Sequence, residues 1–469
     1  MGKGVQVGPH RILKTSIRHF SEGLSKIAKT DPERFGQLAL RFPETVNHSY
    51  ISAIIDSFRL TQPDKSPPEE KQKSWRPARI ETIEAVLAKF QSGDDRDIAM
   101  AFCQLIRGKP DQAWCEQSIT RLVRYAKSHP DLPEGKLNLH CDKHCDEASV
   151  QILFQNTINC VRGVAAEAIG SLLWENNGLL KQVRPGIEAL VQDPHPAVRM
   201  AAIEAIEPVL NFDRDLAVQW FCKACENDLR VPASPRATRF FNYVIPSHIE
   251  QVAPIIRQMV VSPLEEVALE GACEVTARWL FHGFFENELN MCRKGNVFQR
   301  KGVATVAAQL LHENKYASKC RELLCNYVND DSKDVRDALQ SIFRKDGLNK
   351  NDPDHQAFLQ AYIKSKAFAD SPDNFVRLFA DYPGKLIPLA ESIFSVCYEF
   401  ATTLKEKLRD LGVKYPYAAK EMLPILLRLY EQALGEKNRP IADRCLDIWD
   451  ILFENRVGRA IELTRSIDT

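Results

Sequence analysis

The chain has 469 residues, with 62 Lys+Arg against 62 Asp+Glu, 44% hydrophobic and 9% aromatic residues. It is long and apolar enough for a large buried core, which excludes a disulfide miniprotein or a disordered tail, and a formal net charge of zero excludes capture of nucleic acid or anionic membrane by the overall field, leaving only local patches. Thirteen cysteines scattered from Cys103 to Cys445 form no regular framework and follow no signal peptide, which points to a reduced, cytoplasmic setting, and no run approaches the roughly 20 apolar residues of a membrane span.

Leu13, Ile17, Phe20, Leu24 and Ile27 step by four, three, four and three, which places them on one face of a helix. That helix opens at Pro9-His10-Arg11, as a fragment or an alternative start would. Thr30-Asp31-Pro32-Glu33 then ends it and begins another, with Asp31 as N-cap and Pro32 at the first helical position. Residues 1–30 carry Lys3, Arg11, Lys14, Arg18, Lys26 and Lys29 against Glu22 alone. This basic segment is either a docking face for an acidic partner or nucleic-acid phosphate, or a solvated helix face. Gln62 to Pro77 is polar and proline-punctuated, hence a surface loop. It separates an N-terminal helical cap, residues 1–61, from a continuous helical region, residues 78–469. Arg121, Arg124 and Lys127 form a second short basic stripe.

Ser128 to Ser149 is a second long interruption, and it holds the chain's strongest chemical oddity. His140 with His144, and Cys141 with Cys145, have i, i+4 spacing, and imidazole and thiolate are what zinc takes in a tetrahedral site. Neighbouring ligands on one regular helical turn cannot all converge on one ion, so a solvated loop is the competing reading. No other cofactor is indicated.

The middle of the chain repeats. Asp193-Pro194-His195-Pro196-Ala197-Val198-Arg199 is followed by Ala202, Ala205 and Ile206, and Val161-Arg162 by Ala165, Ala168 and Ile169. A third instance runs from Asp330 through Val335-Arg336 to Leu339 and Ile342, and a looser fourth from Asp373 to Arg377. The first two lie 37 residues apart, and the gap to the third holds four units of about 34 residues, within the helical-repeat range. In each unit Asp is placed to cap the second helix, Val enters the core, Ala at three-residue spacing lets helices approach closely, and Arg can reach a capping carboxylate of a neighbouring unit. One such helix pair cannot bury its own apolar face, so the units must stack. With no Asn-Gly or Asp-Gly hairpin turn between alternating apolar runs, the expected fold is all-α.

These residues resemble the second-helix signature of HEAT repeats, in the armadillo-like α-solenoid class. The resemblance implies stacked antiparallel helix pairs in a superhelical arrangement, clearest over residues 155–380. Lys14-Thr15-Ser16-Ile17-Arg18-His19-Phe20 onward also resembles the C-terminal helical sensor region of bacterial antiphage STAND-type NTPases. That likeness implies recognition of a foreign protein, although the chain has no Gly-x-x-x-x-Gly-Lys-[Ser/Thr] loop.

Further along, Cys222-x-x-Cys225 lies in a helical context and reads as buried structural cysteine rather than a redox pair. Trp279, Phe281, Phe284 and Phe285, beside Arg278 and His282, have the composition of a partner-binding hot spot or of core between repeats. Arg239, Phe240, Phe241 and Tyr243 present the same choice. No nucleophile elbow, zinc-protease helix, dinucleotide fingerprint or kinase set occurs. The sequence thus reads as a non-enzymatic helical-repeat scaffold for a macromolecular, chiefly protein, partner, with a sensor or adaptor in antiphage defence as its sharper form. The alternative is an enzyme on a HEAT-like scaffold, such as a DNA-base glycosylase, which would need a Lys/Arg-lined concave face.

Overall fold

A computed structural model describes residues 9–62, 75–91, 95–131, 149–343, 353–382, 384–407 and 414–455. Among these residues there are 23 α-helices and no strand. Contacts divide the chain into two compact units, residues 1–259 and 260–469, and the loop boundary expected near residue 62 falls inside the first of them.

The first unit comprises α1 (Pro9–Ala28), α2 (Pro32–Ala39), α3 (His48–Ser57), α4 (Ile80–Lys89), α5 (Arg96–Gly108), α6 (Glu116–Ser128), α7 (Val150–Ile158), α8 (Val161–Glu175), α9 (Leu180–Leu190), α10 (Pro196–Ile206), α11 (Arg214–Cys225) and α12 (Pro235–Val260), the last reaching the boundary. Helices α1, α3, α5, α8 and α10 pack side by side in one row, while α6 packs on α9 in a second. Local chemistry starts these helices as expected at α2, where Asp31 accepts the Arg34 N–H at 3.2 Å and Pro32 follows it. The apolar stripe of α1 is covered only in part. Phe20 is 62% and Ile27 57% exposed, because α1 has α3 as its one extensive neighbour. Helix α8 is the opposite case: every residue from Val161 to Gly170 is buried, since α5 and α10 flank it, α6 and α9 back it, and α7 lies across it and α10.

The repeat motif folds with two corrections, and the first is that Arg199 reaches the backbone carbonyls of Ala224, Asp193 and Pro194 rather than a neighbouring carboxylate. The second is that Asp193 does not cap α10; His195 does, its Nδ1 accepting the Ala197 N–H at 3.1 Å. Asp193 sits two residues outside, accepts the His195 N–H at 2.9 Å, and meets Arg162 Nε of the preceding repeat at 2.8 Å. The same pairing recurs between Arg96 and Asp131 at 3.2 Å. The Pro at N1 explains the shift: the turn Asp193-Pro194-His195-Pro196 leaves the imidazole, not the carboxylate, over the first free N–H groups.

The second unit comprises α13 (Glu265–His282), α14 (Glu286–Arg293), α15 (Val297–Leu310), α16 (Ala317–Cys325), α17 (Lys333–Ala338), α18 (Pro353–Ile363), α19 (Lys366–Asp370), α20 (Pro372–Ala380), α21 (Ala390–Lys407), α22 (Lys414–Gly435) and α23 (Arg439–Glu454). Helix α15 packs between α13 and α17, and α22 between α20 and α23. The Arg–Asp pairing continues at Arg300–Asp330, 2.8 Å, and Arg336–Asp370, 2.6 Å. An aromatic core forms around Phe375, which stacks on Tyr362 at 5.9 Å and meets Phe343, Phe368 and Phe379 edge-on.

Glu270 on α13 makes this unit sensitive to pH. Burial first, then repulsion from Glu274 and Glu266 one turn away on either side, pushes its carboxyl up to about 7. A carboxyl with a folded pKa above its unfolded value binds extra proton in the folded state, so its contribution to stability falls as pH rises from about 4.5 to 7. Glu270→Gln is therefore expected to stabilise the second unit by about 3 kcal/mol above pH 7 and to leave it unchanged near pH 4. Urea unfolding of both proteins at the two pH values checks this; an equal difference at both would refute it.

Candidate functional site

The zinc candidates His140, Cys141, His144 and Cys145 lie outside the described residues. Among the described residues no cluster of three or more His, Cys, Asp or Glu is placed to hold a metal ion, and no helix is long and apolar enough to cross a membrane. Cys222 is half-buried and Cys225 buried, both free thiols on α11. Burial holds both thiols above the usual range, which makes them poor nucleophiles.

In the first unit, α1, α3 and α5 border a groove of about 730 Å³. Each helix presents one face to it: Ile17, Ser21 and Ser25 from α1; Ser49, Ser52 and Asp56 from α3; Asp97, Met100 and Gln104 from α5. The described part of the basic N-terminal segment is largely neutralised here. Arg18 pairs with Glu22 at 3.0 Å and Lys29 with Asp56 at 2.9 Å. The second basic stripe also dissolves, because Arg121 turns inward, donates to the Leu87 and Phe90 carbonyls, and lies over the Phe102 ring at 4.6 Å.

Exposed aromatic side chains stand elsewhere in this unit. Trp174, in the last turn of α8, is 55% exposed, and Tyr243 on α12 is 53% exposed. Phe212, at the end of the 3-10 turn after α10, is also exposed. Tyr243 is anchored by its backbone, since Arg214 donates to its carbonyl at 2.6 Å. Of its sequence neighbours, Phe240 and Phe241 are core and pack on Phe221 at 4.3 and 5.2 Å. Arg239 is held by Glu204 at 2.9 Å and by Glu207.

In the second unit the Trp279 group separates into two parts. Arg278 is 1% exposed and faces inward, bound to Glu274 at 2.6 Å, so it fixes α13 rather than facing a partner. Trp279, Phe281 and Phe284 are half-buried at the surface. They are joined by Tyr316, whose ring lies 5.2 Å from Phe281. Lys319 Nζ sits 4.6 Å over the Trp279 ring and Lys315 Nζ 5.1 Å over Tyr316. The turn beneath is strained: Gly283 has φ 77° and Phe285 φ 64°. The left-handed conformation costs Phe285 about 1 kcal/mol or more, offset by burial of its ring. Exposed His282 is held below its usual pKa by burial first and then by Arg278 and Lys315. Tyr316 and Lys319 are more than 30 residues from Trp279, and no local pattern could have assigned them to this surface.

A Ser–His–Asp hydrogen-bonded chain does occur on the first unit. His248 is 2.8 Å from both Ser247 Oγ and Asp215 Oδ1, where α12 kinks at His248. The Asp215 side chain is 95% exposed, so water screens the charge that would stabilise an imidazolium.

Residues 183–212, spanning α9, α10 and the turn that ends at Phe212, match the HEAT repeat family model. The described residues are thus an all-α helical-repeat array, one segment of which matches a HEAT repeat. No curated protein matches it. Among solved structures, a "circular tandem repeat protein with novel repeat topology and enhanced subunit contact surfaces" aligns over 98% of this chain and 90% of its own, at 13% identity and a TM-score of 0.22. Overlap that loose adds nothing to the fold assignment. The STAND-type resemblance finds no counterpart in these comparisons.

Proposed function

We propose that this protein is a non-enzymatic helical-repeat scaffold whose surface binds a protein partner. The exposure of Trp174 and Tyr243 in a single unit carries the reading. Large aromatic side chains left in water on a rigid helical frame are the usual anchors of protein interfaces, and each loses little side-chain entropy when it is covered. The alternative, an enzyme acting on a DNA base, asks for a cationic groove, whereas the cations beside the α1–α3–α5 groove are matched by Glu22 and Asp56. The narrower role of a sensor in antiphage defence rests on the likeness at Lys14–Phe20 alone, and on a cytoplasmic setting read from the cysteines.

Affinity capture from the native host's lysate, with and without phage challenge, tests the reading. The wild type is expected to retain one stoichiometric protein. Trp174→Ala with Tyr243→Ala is expected to weaken its retention by about tenfold or more, as anchor residues do, at an unchanged thermal midpoint because both side chains are exposed. Retention of nucleic acid at moderate salt with no protein would favour the enzyme alternative. Equal capture by the variant would place the interface elsewhere.

A further inference from the structure

We infer that the aromatic surface at the end of α13 is a docking site for an acidic segment of the partner protein, an inference that rests on the scaffold reading above. The surface pairs rings with unneutralised cations. Trp279, Phe281, Phe284 and Tyr316 supply the apolar part, and the ammonium groups of Lys319 and Lys315 lie over the Trp279 and Tyr316 rings. Neither lysine has a carboxylate within ion-pair distance among the described residues, and the charges that bear on His282 between them are those of Arg278 and Lys315, both positive. By contrast, Arg300 in the same unit is answered by Asp330 and Arg336 by Asp370. A cation held over a ring by its quadrupole keeps its full charge for an incoming anion, and a partly dry aromatic floor strengthens that attraction.

The occupant follows from the chemistry. It carries carboxylates for Lys315 and Lys319 and an apolar side chain to lie against the half-buried rings of Phe281 and Phe284. Single-stranded nucleic acid is the less suitable anion, because base stacking needs open ring faces, and here a lysine ammonium lies over one face of each of the half-buried Trp279 and Tyr316 rings. The turn at Gly283–Phe285 sets Phe284 beside His282, with ring centroids 5.8 Å apart.

The test uses the full chain and fluorescein-labelled dodecapeptides in which Phe alternates with Glu, or with Lys, together with a thymine oligonucleotide, read by fluorescence anisotropy. The Glu peptide is expected to bind, and the Lys peptide and the oligonucleotide to bind at least tenfold more weakly. Lys315→Glu with Lys319→Glu, both exposed and therefore compatible with folding, is expected to weaken the Glu peptide by about tenfold or more. Lys315→Arg with Lys319→Arg is expected to retain it. Equal binding of Glu and Lys peptides, stronger binding of the oligonucleotide, or indifference to the charge reversal would each overturn the proposal. Lysate capture separates the two levels: a partner still retained by the charge-reversed variant sinks this site and leaves the scaffold reading standing.

Discussion

Replacing Arg162 by Met is expected to destabilise the first unit by about 3–5 kcal/mol, the cost of breaking a buried ion pair from one side. Arg162 is buried at the start of α8. Its guanidinium meets the buried carboxylate of Asp193 at 2.8 Å and donates to the carbonyls of His129 and Asp131. One side chain therefore ties the end of α6, the start of α8 and the turn before α10. Methionine fills much of the volume and supplies none of the donors, so two backbone acceptors lose a partner and a carboxylate is left in low dielectric. Burial already raises the Asp193 carboxyl, and without the cation it rises further. A raised acid pKa removes stability as pH increases, so the deficit of the variant is expected to widen from about pH 4 upward. Adding Asp193→Asn should recover part of the loss at neutral pH. Hydrogen exchange of the α8 amides reads the local opening energy without assuming that both units unfold together; a loss below about 1 kcal/mol would mean that the pair is not a structural tie.

The ladder to which Arg162 belongs was legible in part, because Arg162, Asp193, Asp330 and Arg336 fall in motifs that recur at spacings of about 34 to 37 residues, whereas Arg96, Asp131, Arg300 and Asp370 fall in none. Asp193 and Val198-Arg199 announce a helix pair, and the family match at residues 183–212 falls on the same segment. Which group would cap α10 was less legible, since Asp193 and His195 both precede the helix and only the geometry of the two prolines decides between them. Contacts that join distant repeats left no local trace. Nothing around Glu167 indicates that its carboxylate would be buried between Arg107, at 2.6 Å, and Arg236 from 69 residues further on. The candidate surface divides in the same way: composition marked Trp279, Phe281 and Phe284, but periodicity could not tell that Arg278 turns into the core or that Tyr316 and Lys319 complete the patch. A hot-spot composition and a core composition are nearly the same list of residues, and only the fold says which side faces water.

Glycine on α8 should behave contrary to helix propensity. Ordinarily Gly→Ala inside a helix gains about 1 kcal/mol, and Gly23 on α1, where nothing lies within 4 Å of an added Cβ, is expected to show a gain of that order. At Gly170 the same methyl would stand 2.3 Å from the Glu204 carbonyl oxygen and 2.9 Å from its carbon. Those atoms are α10 backbone and cannot rotate away as a side chain would. The Glu204 carboxylate is itself held by Arg236 at 3.0 Å and Arg239 at 2.9 Å, and Arg236 also binds Glu167 of α8, so the two helices are tied to each other through that side chain. Relief requires α8 and α10 to part by on the order of 1 Å along a close-packed contact, which forfeits dispersion along both helices. Gly170→Ala is therefore expected to cost about 2–3 kcal/mol net of its propensity gain, and Gly170→Val more, as overpacked cores do. Thermal unfolding of the Gly23 and Gly170 alanine variants side by side separates the two effects. Opposite signs are expected; a gain at both positions would show that the two helices slide apart freely, and the rigid repeat frame on which the exposed Trp174 and Tyr243 are displayed would have to be given up.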